Sequence, residues 1–69
     1  MKLIHSVTLN EVHIGDGVTD IDGEIYEVGG FIEPHKPSST GRVIVKQQLS
    51  EKMSHTMEYF PSVFNLKFI

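Results

Sequence analysis

An Asp22-Gly23 pair lies between two short extended runs, Val18-Thr19-Asp20-Ile21 and Glu24-Ile25-Tyr26-Glu27-Val28. This arrangement predicts a tight hairpin, because both central residues of a type I′ turn need positive φ and Asp-Gly tolerates it. Helical signals are poor along the chain. The surrounding sequence agrees, since β-branched and aromatic residues dominate the apolar set and glycines interrupt it every few positions.

Other segments carry the same period. From Met1 to Leu9, Leu3, His5, Val7 and Leu9 alternate with Lys2, Ile4, Ser6 and Thr8, predicting a strand with one mostly buried side. Gly29-Gly30 ends or bulges the next strand, and Phe31-Ile32 continues the apolar run. Residues 33–41 have loop composition, with Pro34 and Pro37 unable to donate to a ladder, and a flexible loop is expected there. Arg42 to Leu49 resumes as a strand. Ser50 to Met57 fits either one helical turn capped by Ser50 or a turn between strands. The turn is preferred, with a strand from Thr56 to Phe60. Phe64, Leu66 and Phe68 alternate with Asn65 and Lys67 as in a half-buried strand. The expected fold is all-β, with about five mostly antiparallel strands in one domain spanning residues 1–69.

A chain of 69 residues buries only roughly 60% of its unfolded surface, so one small core is all it holds. It has no cysteine, so packing alone must stabilise that core. Met1 to Val12 shows no long apolar region or cleavage site of a signal peptide. No run approaches the roughly 20 apolar residues that cross a bilayer. A cytoplasmic location is expected. The formal net charge is −3, and the cations Lys2, Lys36, Arg42, Lys46, Lys52 and Lys67 are scattered. That sign disfavours a protein held by phosphate contacts, although Arg42 and Lys46 would share one strand face.

The closing stretch Phe60-Pro61-Ser62-Val63-Phe64 resembles the end of SH3 domains, where Phe-Pro, a short 3₁₀ segment bearing an aromatic, and a final strand follow one another. The resemblance implies an SH3-like barrel with a 3₁₀ turn near Pro61. It also implies that Pro61 and Phe64 line a groove for a polyproline II peptide. The chain departs from that family in having no tryptophan and no N-terminal aromatic stretch. A second set of positions is Asp20, Gly23, Tyr26 and Val28, then Gly41-Arg42-Val43-Ile44-Val45, then Phe60 and Phe64. It is similar to small phage and prophage proteins with SH3-like barrels, which implies an accessory role. Part of the pattern also resembles KOW barrels, which implies contact with RNA or RNA polymerase through Arg42, Lys46 and Lys67.

Catalytic and metal chemistry find little footing in the residues. Asp16, Asp20, Asp22 and Glu24 cluster, but without the spacing of an EF-hand, and Asp22 is explained as a turn residue. His5, His13, His35 and His55 are widely separated, and zinc needs convergent ligands. Ser38, Ser39 and Thr40 lie near His35 with no group to orient a base. No enzyme, metal or cofactor is therefore expected. Among the aromatics, Tyr26, Phe64 and Phe68 are expected in the core. Tyr59 and Phe60 are adjacent in a strand, so at most one is buried. The expected function is a protein-binding module using Tyr59, Phe60, Pro61, Arg42 and Lys46. Self-assembly through an edge strand, either Met1 to Leu9 or Arg42 to Leu49, is a further expectation.

Overall fold

A computed structural model describes residues 1–69. Six strands and one 3₁₀ turn follow in order: β1 (Leu3–His5), β2 (Gly17–Thr19), β3 (Ile25–Ile32), β4 (Arg42–Gln48), β5 (Ser54–Tyr59), the turn Pro61–Phe64, and β6 (Leu66–Phe68). They form two antiparallel sheets. One pairs β1 with β6, and the other runs β2-β3-β4-β5. No continuous ladder joins the sheets, so the molecule is not a closed barrel, and the strand count exceeds the five expected.

The hairpin read at Asp22-Gly23 is present with a wider loop. β2 ends at Thr19 and β3 begins at Ile25. Gly23 has φ 87°, while Asp22 is not in the positive region, so the turn is not type I′. Asp20 organises it instead. Its Oδ1 accepts from the N–H groups of Asp22 (2.9 Å) and Glu24 (3.0 Å), and its Oδ2 accepts from the Tyr26 hydroxyl (3.3 Å).

The N-terminal strand is shorter than its alternation suggests. After His5 the chain turns, with Leu9 N–H donating to the His5 carbonyl at 2.9 Å. It then returns so that Glu11 bridges Ile4. β1 is thus covered on both flanks, and Leu3 and Ile4 are both buried. Val7 and Leu9, expected inside, are exposed, and Leu9 adopts φ 65° in the turn.

β3 and β4 carry the core. Val28 pairs with Val45, but Gly30 pairs with Ile44, so Gly29 is an extra residue forming a bulge. The bulge keeps both Val28 and Phe31 on the inner face, although they are three positions apart. Val28, Val43 and Val45 are completely buried, with Leu3, Val12, Val18, Tyr26, Phe64 and Leu66 around them. Tyr26, Tyr59 and Phe64 meet edge to face, with centroids 5.6–6.0 Å apart, an arrangement favoured by ring quadrupoles. Phe68, expected in the core, is half-buried and packs edge-on to Phe31 at 5.8 Å.

Residues 33–41 form the connection between β3 and β4. Its end is fixed by Gly41, at φ 76°, where a Cβ would lie 2.6 Å from both the Ile32 carbonyl and the Phe68 ring. Residues 49–53 turn β4 into β5, with no helix.

Candidate functional site

β4 alternates strictly. Val43 and Val45 point into the core, so Arg42, Ile44 and Lys46 lie on the opposite, outer face of the four-stranded sheet. Register places Ile32 opposite Arg42, Glu27 opposite Lys46, and Glu58 opposite Ile44. Phe60 follows β5 with extended backbone (φ −66°, ψ 143°). Phe60 is 51% exposed, and the Arg42 guanidinium sits 4.1 Å from its ring centroid. The Arg42 Nη1 also donates to the Gly41 carbonyl at 3.2 Å, which holds the side chain across the ring. Arg42, Ile44, Ile32 and Phe60 form the apolar and cationic centre of this face.

The residues expected to bind a partner separate into two groups. Arg42, Lys46 and Phe60 lie on the outer surface. Tyr59 points the other way, packs on Tyr26 and Phe64, and is half-buried. Its hydroxyl reaches the Met57 sulfur at 3.4 Å. Pro61 is fully buried, and Phe64 is only 3% exposed. The polyproline II groove implied for Pro61 and Phe64 therefore has no exposed surface to form it, because the 3₁₀ turn folds both under the sheet. Ile32 and Ile44 were not singled out from the sequence. The signal that locates them is the alternation Arg42-x-Ile44-x-Lys46, combined with the register shift at the glycines.

Cations and acids are mixed on the outer face. Lys46 stands opposite Glu27, and Glu58 flanks Ile44, so Arg42 and Lys46 do not make a single-sign patch. Lys67 lies on β6 in the other sheet.

The acidic cluster serves turns. Besides the Asp20 bonds, Asp16 Oδ2 accepts from the His13 N–H at 2.9 Å. His13 also lies 3.3 Å from Glu11 and 3.8 Å from Asp16, all three side chains being well exposed. No three His, Asp or Glu side chains converge as a metal cage would require. Tyr26 has the one clearly displaced ionisation. Its burial, then the neighbouring Asp20 carboxylate and Tyr59, push the phenol up to about 12.

No helix is long and apolar enough to cross a membrane. No family model, curated protein or solved structure matches the chain.

Proposed function

We propose that this chain is a non-enzymatic protein-binding module of SH3-like type, acting in the cytoplasm, and that it docks its partner on the outer face centred on Phe60. One observation carries the reading: a half-exposed aromatic ring with an arginine held over it, bordered by Ile32 and Ile44. Arg and aromatic side chains are enriched at binding hot spots, where a rigid ring buries a large area, and the cation adds attraction to the ring. The mixed charges of Lys46, Glu27 and Glu58 suit a protein surface better than a phosphate backbone. The SH3-like assignment draws support from the order of β5, Phe60-Pro61, a single 3₁₀ turn bearing Phe64, and a closing strand. The likeness to phage and prophage barrels makes a host protein the first partner class to test.

The test is affinity capture with wild type, Phe60→Ala and Arg42→Ala as baits, and Leu49→Ala as an exposed control on the β4–β5 turn. Phe60→Ala is expected to weaken capture of the partner by at least about tenfold, as a central hot spot does, with thermal unfolding unchanged. Leu49→Ala should behave as wild type. Equal recovery of every captured protein by the Phe60→Ala bait would refute the site.

A further inference from the structure

β5 has a neighbour on one side only. It pairs with β4 and bounds the four-stranded sheet, and no backbone hydrogen bond outside that ladder involves residues 54–59. Which of its peptide groups are free follows from the ladder's phase. Leu49 N–H donates to the Met53 carbonyl at 2.9 Å, and the register then runs without a shift from Gln48↔Ser54 to Val43↔Tyr59. Bonded and non-bonded pairs alternate in an antiparallel ladder, so His55, Met57 and Tyr59 turn their amides toward β4. The opposite side of the sheet gives the same phase. Val28 donates to Asp16 and accepts from Gly15 on the β2 side, which leaves Glu27 bonded to Lys46 and Val45 bonded to Met57. Ser54, Thr56 and Glu58 therefore direct N–H and C=O away from the sheet.

Such an edge is normally blunted by proline, lysine, a bulge or shortness. β2, the opposite edge, has only three residues. β5 has six, Ser-His-Thr-Met-Glu-Tyr, with no proline, lysine or register shift. The strands expected to self-assemble from sequence are not available, since β4 has neighbours on both sides and β1 lies between β6 and Glu11.

We propose that β5 pairs antiparallel with β5 of a second copy of this chain, about a two-fold axis through Thr56. Symmetry requires each inward-facing residue to meet another inward-facing one, so the axis passes through a residue rather than between two. Centred on Thr56, the bonded pairs are Thr56 with the partner's Thr56 and Ser54 with the partner's Glu58, twice. Two threonines and two hydroxyl–carboxylate pairs then share the outer face, both favourable cross-strand combinations. On the inner face His55 meets the partner's Met57, and no like charges oppose one another. Centring on Met57 is poorer, because it draws on Phe60, whose carbonyl already accepts from Val63 N–H at 3.1 Å. The product is a continuous sheet of twice the width. The seam is one strand wide, so association is weak and concentration-dependent. The seam adjoins the Phe60 surface, since Phe60 continues β5 and Glu58 borders both, and Thr56→Lys, which leaves Phe60 and Glu58 in place, tests the seam alone.

The experiment combines sedimentation velocity with amide exchange by NMR on the full chain over a wide concentration series. The mass should rise from monomer to dimer and stop there, and the Ser54, Thr56 and Glu58 amides should slow together as it rises. Thr56→Lys sets two ammonium groups across the axis and should weaken dimerisation at least about tenfold, with thermal unfolding of the monomer unchanged. Thr56→Pro, which removes an outward N–H that β4 does not use, should do the same. A monomer at every concentration with those three amides exchanging freely overturns the proposal and leaves the edge to an extended peptide of another protein. Growth beyond a dimer overturns it too, as does tighter association of Thr56→Lys, which would mean that position 56 faces the partner's Glu58.

Discussion

The stretch from Ser6 to Glu24 and the stretch from Ile25 to Phe68 solve the same problem by different means. The first is held largely by polar side chains bonded to nearby backbone, at Thr8, Asp16 and Asp20. Only Val12 and Val18 anchor it in the core, and Val7, Leu9, Ile14 and Ile21 are left exposed. The second is held by long ladders and by rings and valines packed inside. A hydrogen bond exchanged with water contributes about 1 kcal/mol net, whereas a buried ring contributes several times that. The first region is therefore shaped by local bonds, and the second supplies most of the stability.

The largest expected effect lies in the second region. Phe64→Ala removes the ring that touches both Tyr26 and Tyr59 and should cost about 3–5 kcal/mol, read as the midpoint of denaturant unfolding. A loss below about 1 kcal/mol would mean that the rings are not the centre of the fold.

Asp20→Ala tests the first region and should cost less, about 1–2 kcal/mol for its lost backbone bonds. Exchange at the Asp22 and Glu24 amides should quicken while β4 keeps its protection. The same residue links the regions through the Tyr26 hydroxyl. The folded phenol ionises near 12 against an ordinary value of about 10, so between those pH values the native state holds the proton more tightly than the unfolded one. The stability that this residue contributes is full below about pH 10 and is lost as pH rises toward 12. Tyr26→Phe should flatten that alkaline decline in a titration of unfolding midpoint against pH, and an unchanged slope would assign the decline elsewhere.

Leu9→Gly is the smallest effect and has the opposite sign. An exposed leucine at φ 65° is strained, and glycine relieves the strain while adding flexibility to the unfolded chain. A gain of up to about 1 kcal/mol in thermal or denaturant unfolding is expected. A loss would show that the Leu9 side chain packs in solution.

The contrast between the regions also explains what was legible in the sequence. Period-two alternation located β4 and the closing strand, since half-buried strands advertise their faces. The turn near Pro61, the 33–41 connection and the bulge at the glycines were legible because proline and glycine limit the backbone directly. Leu3 to Leu9 misled for a physical reason. Its alternation continues past His5, but the chain bends there to bring Glu11 onto Ile4, and nothing in residue type marks that tertiary choice. At Asp22-Gly23 the reversal was visible and the turn type was not, because Asp20, two residues earlier, accepts the bonds that set the loop. For the candidate site, Arg42 and Lys46 were placed correctly on one face. Choosing between Tyr59 and Phe60 required knowing which parity of β5 faces the valines. That depends on pairing with β4, not on either residue.

The bulge at Gly29 also affects how the gene can change. Gly29 is the residue of β3 without an opposite number, so an in-frame loss of its codon lets Gly30 remain against Ile44 and Phe31 against Val43. The strand would straighten, yet every side chain beyond would keep its face. β4 has partners on both sides and no such spare residue, and a codon lost there turns the rest of the strand inside out. Deletion of Gly29 should therefore leave this chain folded, while deletion of a residue within β4 should not.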